Sequence, residues 1–174
     1  MSLLFSCFII ILALLFLRGA LSLAPWVPTR REAIVRLWDI IDIKAWEYFL
    51  EIGSWDGRVV SFLAKKYPDS YFVGIEIVPY LYFVWLVRKY IWGLSNLELK
   101  LWNALKENID WYQHIFVFWL PESIKEKLLP RFEKEANRST KLYSYAFSFP
   151  KEYQNKVQSF WGDNLQKIHI YTQS

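Results

Sequence analysis

The chain holds a single cysteine, Cys7, so it can form neither an intrachain disulfide nor a cysteine-based metal site. Histidine is almost as scarce. His114 and His169 are the only two, no H-x-x-H or H-E-x-x-H pair exists, and no metal is expected. Ser54, Ser144 and Ser148 lack a nucleophile-elbow context, which argues against a hydrolase. No Lys/Arg-rich run accompanies the mild net charge of +4, so no nucleic-acid partner is expected. Internal repeats and low-complexity tracts are absent as well. Apolar residues, by contrast, make up 54% of the chain and aromatic residues 20%. Both shares exceed those of ordinary soluble domains, so the chain can bury a large core and disorder is excluded. The excess also points to surface spent on something other than water. A length of 174 residues suits one domain and is short for two.

Leu3 to Leu17 is an apolar run broken only by Ser6 and Cys7, and with Arg18 near its end the stretch continues to Ala24. A bilayer span takes roughly 20 such residues, and an arginine near a helix end can reach the headgroups. No polar face exists, which disfavours a buried core helix. Ala20 to Ala24 offers small residues at the spacing of a cleaved signal peptide, but nothing basic precedes the run as it would in one. Residues 1–24 are therefore expected to be a transmembrane anchor. Arg18, Arg30, Arg31 and Arg36 follow the run and put residues 25–174 on the cytoplasmic side of a single-pass arrangement.

Ala24 to Pro28 reads as a linker, and Thr29 with Glu32 as a capping box that opens a helix to about Ile41. From residue 47 short apolar strands alternate with helical segments. Strands are expected at 47–52, 71–77, 97–102, 114–120, 141–147 and 167–172, and helices at 58–66, 80–92 and 121–136, the last loosened near Pro130. Tyr80, Phe83, Val84, Val87 and Ile91 share helical spacing and are most simply core. The alternation implies an α/β fold, a mostly parallel Rossmann-like sheet with helices on both faces, which binds ligands at the C-terminal strand ends.

The chemistry concentrates at two such ends. Glu51-Ile52-Gly53-Ser54-Trp55-Asp56-Gly57 closes the first strand and opens a helix, and its glycines permit positive φ and close approach of backbone to a ligand. Twenty residues beyond Asp56, Glu76 ends the second strand, where a carboxylate can accept hydrogen bonds from both hydroxyls of an adenosine ribose. A dinucleotide would need G-x-G-x-x-G and room for a pyrophosphate. Glycines stand at 53 and 57 only, and Asp56 brings a negative charge that repels a pyrophosphate but suits a sulfonium. The turn favours S-adenosylmethionine over NAD or FAD.

Residues 51–60, Glu-Ile-Gly-Ser-Trp-Asp-Gly-Arg-Val-Val, resemble the D/E-x-G-S-G-D-G-R-[IV]-V signature of a class I methyltransferase family. Its eukaryotic members are membrane-anchored mitochondrial protein-lysine N-methyltransferases acting on the ATP synthase c subunit and the adenine nucleotide carrier. The order of Val27-Pro28-Thr29, Gly74-Ile75-Glu76-Ile77 with Pro79, Asn103-Ala104-Leu105, Phe118-Trp119-Leu120-Pro121-Glu122 and Ser144-Tyr145-Ala146-Phe147 is similar to that family along most of the chain.

The resemblance implies S-adenosylmethionine as cofactor. The turn with Gly53, Ser54, Trp55 and Gly57 would line its methionine part, with Glu51 and Asp56 near the ammonium. Glu76 would hold the ribose and Asn103 the adenine edge, and the acceptor would be a protein lysine. Glu122 and Tyr145 are candidate catalytic residues at the rim. One position departs from the pattern, because Trp55 replaces the middle glycine. A non-glycine residue is strained there if φ is positive. An alternative follows from it: a catalytically silent cofactor-binding or scaffolding module at the membrane.

Overall fold

The computed structural model describes residues 5–7, 10, 28–162 and 165–173. Among these no helix is long and apolar enough to cross a membrane. Of the expected anchor only residues 5–7 and 10 are described, as helix, and the rest of residues 1–24 lies outside the described residues, as does most of the linker.

Helix α1 (Arg31–Ile40) leads into strand β1 (Tyr48–Ile52), α2 (Arg58–Lys66), β2 (Tyr71–Glu76), α3 (Pro79–Trp92) and β3 (Leu97–Leu101). After a 3₁₀ turn at Ala104–Lys106 come β4 (His114–Val117), helix α4 over 121–135, β5 (Lys141–Tyr145), a 3₁₀ segment Lys151–Lys156, and the hairpin of β6 (Val157–Gly162) and β7 (Leu165–Tyr171). The strands form one sheet in the order β3-β2-β1-β4-β5-β7-β6. β1 to β5 pair in parallel, whereas β7 runs antiparallel to both β5 and β6. Strand order reverses between β1 and β4, which places the ligand crevice at the C-terminal end of β1.

Both faces of the sheet are covered, so its central strands are apolar throughout rather than alternating. Phe49, Phe72, Phe116 and Tyr143 pack on one face under Leu37 of α1, Val60 and Leu63 of α2 and Trp85 of α3. Leu50, Ile75, Ile115 and Leu142 pack on the other under Ile124, Leu128 and Phe132 of α4.

Four expectations need correction. The capping box at Thr29 does not form: Arg30 is the N-cap of α1 without a side-chain cap bond, and Thr29 is buried. Its carbonyl instead accepts a hydrogen bond from Arg58. The strands β4 and β5 stop at Val117 and Tyr145, because Pro121 and the positive φ of Ala146 (70°) turn the chain out of the sheet. Strand β6 escaped the sequence pattern, since the adjacent, exposed Gln158 and Ser159 of this edge strand break the alternation of apolar and polar positions. Finally, the stripe read as core on α3 faces outward. Phe83, Val84, Val87 and Ile91 are exposed, and Leu81 and Trp85 do the packing.

Helix α4 does loosen, one turn before Pro130. Its Ile124–Leu128 turn is π-helical, which accommodates the N–H that proline removes from the ladder. Both histidines are satisfied. His114 bridges the Tyr143 hydroxyl (3.0 Å) and Glu47 (2.9 Å), and His169 meets the Ser159 hydroxyl at 2.8 Å.

Candidate active site

The turn after β1 is built from three left-handed residues at alternate positions, Gly53 (φ 73°), Trp55 (φ 52°) and Gly57 (φ 67°). Such a path is free for glycine and costs an L-residue about 1–2 kcal/mol. Trp55 bears that cost, so the condition for strain is met. The turn is nevertheless held tightly. The backbone N–H groups of Gly53 and Ser54 both donate to the Ile75 carbonyl, at 3.0 and 2.9 Å, and Gly57 N–H donates to Ser54 O at 2.7 Å. The buried Ser54 hydroxyl donates to Ile75 O as well, at 2.9 Å. Ser54 thus ties the turn to the end of β2.

Glu76 is the second anchor of the turn. One carboxylate oxygen accepts from Trp55 N–H at 2.8 Å, and the other from the N–H groups of Ile77 (2.9 Å) and Val78 (2.8 Å). Burial pushes its carboxyl above the ordinary glutamate range, and these three N–H groups offset part of the rise. A carboxylate offers about four lone-pair sites, so one remains for a ligand hydroxyl. The N–H of Trp55 serves here as well as that of a glycine would. Replacing the glycine has left the backbone path and its link to Glu76 in place.

Asp56 is committed differently from what the resemblance implies. Its carboxylate is held by Arg58 (2.7 Å) and Arg88 (3.2 Å), and Arg88 also donates to the Asp56 carbonyl at 2.6 Å. Burial would raise its carboxyl, but the hydrogen bonds and charge of the two arginines hold it below the usual range. An ammonium would have to compete with both. The Arg58 guanidinium also lies over the Trp55 ring, 5.6 Å from its centroid. Sequence reasoning missed Arg88 because it lies 32 residues from Asp56 and belongs to no local motif.

Glu51 remains as the uncommitted acid. It is buried and receives the Val60 N–H at 2.9 Å. Burial raises its carboxyl well above the ordinary range, the Val60 N–H offsets part of this, and the nearby charges of Asp56 and Glu76 raise it further. A cation placed beside it would favour the ionised carboxylate and bring the carboxyl down again.

Across the crevice, Asn103 follows β3. Its side-chain carbonyl accepts from Leu105 N–H at 3.0 Å and caps the 3₁₀ turn, leaving its second lone pair and its amide hydrogens for an adenine edge. Beyond β4, the indole of Trp119 lies against Gly53, so close that an added Cβ there would stand 3.2 Å from its Nε1. Trp119 is buried under the turn, a support that the sequence pattern did not single out. Phe118 stands edge-on to Tyr145 (centroids 4.8 Å apart) and stacks near Phe147 (6.0 Å). Glu122 is exposed in the first turn of α4. Tyr145 is buried, its hydroxyl lies beside the backbone of Arg30 at the start of α1, and burial raises its pKa. The Trp55 indole Nε1 is buried without a partner among the described residues.

These features fit S-adenosylmethionine: a glycine-rich turn at the switch point, a raised acid that a cation would ionise, a carboxylate at the ribose position and a buried indole N–H without a partner in the turn. One pH effect follows. Binding a cation favours the ionised form of Glu51, whose carboxyl is raised in the free protein. Affinity for S-adenosylmethionine should therefore fall as pH drops through that raised range and level off above it. Calorimetry across pH checks this, and Glu51→Gln should flatten the profile.

No family model matches the chain. A protein-lysine N-methyltransferase of Saccharolobus islandicus (strain REY15A) is 26% identical over 141 residues, 74% of this chain and 82% of that protein. A tRNA (guanine-N(7)-)-methyltransferase of Latilactobacillus sakei is 33% identical over 73 residues, 42% of this chain, which spans only 34% of that relative. Among solved structures, an RNA methyltransferase from Salinibacter ruber in complex with S-adenosyl-L-homocysteine superimposes with a TM-score of 0.73 at 23% identity, covering 84% of this chain and 93% of that one. The sheet order and this superposition give the chain the class I methyltransferase fold, and both sequence relatives are methyltransferases.

Proposed function

We propose that the chain is an S-adenosylmethionine-dependent methyltransferase that modifies the side-chain amine of a protein lysine, at a membrane to which residues 3–24 tether the domain on the cytoplasmic side. The match to a protein-lysine N-methyltransferase along 82% of that relative carries the reading. The tether rests on the apolar run of the N-terminus and the arginines that follow it.

The cofactor, when bound, supplies an electrophilic methyl group and leaves as the neutral thioether once the amine nitrogen has formed its bond to carbon. The residues of the chain do the rest. The turn 53–57 and Glu76 would orient the methyl donor, Glu51 would face its ammonium, and Asn103 would meet the adenine edge. Phe118, Tyr145 and Phe147 form an aromatic wall near which an aliphatic lysine stem can pack. A dry wall of this kind favours the neutral amine over the ammonium. Glu122, exposed in the first turn of α4, would take the proton the lysine must lose before attack and pass it to water.

An RNA acceptor is the second reading, supported by the Salinibacter ruber fold match and the Latilactobacillus sakei relative. Full-length protein incubated with methyl-labelled S-adenosylmethionine and with membrane-protein, soluble-protein and RNA fractions separates the two. Protease-sensitive label that hydrolyses to methyl-lysine, strongest in the membrane fraction, is the expected result. Label found only in nuclease-sensitive material would replace the lysine reading with the RNA one.

A further inference from the structure

The outer face of α3 is an unpartnered apolar surface. Phe83 is 62% exposed, Val84 54%, Val87 60%, Tyr90 89% and Ile91 72%. Their spacing of three, four and seven residues places them along one side of the helix, opposite Leu81 and Trp85. A soluble domain seldom leaves such a stripe to water. Leu101 and Trp102, also exposed, follow along neighbouring β3 at the sheet edge.

Charge and aromatic placement say what covers it. The sequence of α3 contains no acidic residue, and its charges are Arg88 and Lys89. At its C-terminal end Trp92 is flanked by Lys65 of α2, 5.6 Å from the ring centroid, and Lys66 lies 4.4 Å over the ring of the half-exposed Trp38. An apolar stripe bordered by tryptophans and lysines is the composition of a helix that lies in the interface of an anionic bilayer, its apolar face at the acyl boundary. The chain also enters the domain beside this helix. The Thr29 carbonyl is bonded by Arg58, and Arg58 and Arg88 of α3 share the Asp56 carboxylate. The backbone at Thr29, which follows the apolar run 3–24 five residues later in the sequence, is thus linked to α3.

We infer that the outer face of α3 lies on an anionic lipid bilayer and makes a second membrane contact next to the N-terminal segment. This rests on the tethered reading above and adds an orientation to it. The N-terminus of α3 directly follows Glu76, so a bilayer along this helix holds the rim of the crevice close to the membrane surface. Acceptor amines a short distance from the lipid would then be presented to the site, while the α4 face points away.

The test uses the full chain with Cys7→Ser, carrying one environment-sensitive fluorophore at Val87→Cys, Ile91→Cys or, as a control on α4, Lys134→Cys. Each protein is mixed with phosphatidylcholine vesicles containing phosphatidylglycerol, with and without acyl-chain doxyl lipid, and floated on a gradient. The expected result is co-flotation, a blue shift at 87 and 91, and loss of about half their emission to the doxyl quencher, with the label at 134 unaffected. Co-flotation without quenching at 87 and 91 overturns the α3 contact and leaves the tether standing. A blue shift there that doxyl lipid does not quench also overturns it, because a second copy or the chain's own N-terminal segment then covers the face. Absence of flotation removes the tether and the α3 contact together.

Discussion

Glu76→Gln should weaken binding of S-adenosylhomocysteine by roughly ten- to a hundredfold. The one charge-assisted hydrogen bond that a ribose hydroxyl can still make to this carboxylate is worth about 1.5–3 kcal/mol, which corresponds to about one to two orders of magnitude in Kd. The amide keeps the shape of the side chain but carries one acceptor and one donor group. Its NH₂ must face either Trp55 N–H or the pair from Ile77 and Val78, all of which donate to the carboxylate in the native chain. The substitution therefore loses a ribose partner and unsettles the turn at once. Calorimetric titration of the full-length protein reads the affinity, and the melting temperature measured alongside reports the turn. Unchanged affinity would place the ribose somewhere other than the end of β2.

The central strands and the position of this crevice were legible in the sequence because each depends on local pattern. Apolar runs at 48–52, 71–76 and 114–117 mark strands buried on both faces, and the glycines at 53 and 57 mark the turn. What the sequence hid depends on contacts far apart in the chain. The Asp56–Arg88 pair is one such contact. It takes an acid expected near the cofactor ammonium and neutralises it with an arginine from the next helix. The packing of Trp119 against Gly53 is another, made between β1 and the segment after β4. The stripe on α3 failed for a different reason. Periodicity reports that a helix has an apolar side but not whether protein or another medium covers it, and here the face that packs on the sheet is the narrow one with Leu81 and Trp85. Trp55 lies between these cases. Its identity signalled a departure from the family pattern, while its effect on the backbone depended on the actual φ of 52°.

The substitution expected to damage the fold most is Gly57→Ala. Gly57 is the buried N-cap of α2, with φ at 67°. A Cβ added there would stand 1.9 Å from Nε1 and 2.0 Å from Cδ1 of Trp85, a distance at which one of the two must move. Trp85 has no space to yield. It is fully buried, its Nε1 donates to the Ser61 hydroxyl at 3.3 Å, and the far end of its ring covers Gly74. The left-handed backbone adds about 1–2 kcal/mol, and overpacking in a close-packed core about 1–3 kcal/mol. A combined loss of about 3–4 kcal/mol is a large part of the roughly 5–15 kcal/mol by which a domain is stable. Gly74→Ala isolates the second term, because its backbone is not left-handed but its Cβ would meet Cη2 of the same indole at 1.9 Å. Denaturant unfolding of both variants, alone and with Trp85→Leu, should show the two costs separating. With the indole gone, Gly74→Ala should lose most of its cost and keep only the part owed to Ser54 Oγ, 2.9 Å from the added Cβ, whereas Gly57→Ala should retain only the backbone cost of about 1–2 kcal/mol. If both variants cost as much without Trp85 as with it, the wedge between α2 and β2 is not this indole. The turn that carries Glu51, Trp55 and Asp56 would then owe its position to the hydrogen bonds with Ile75 and Glu76 alone.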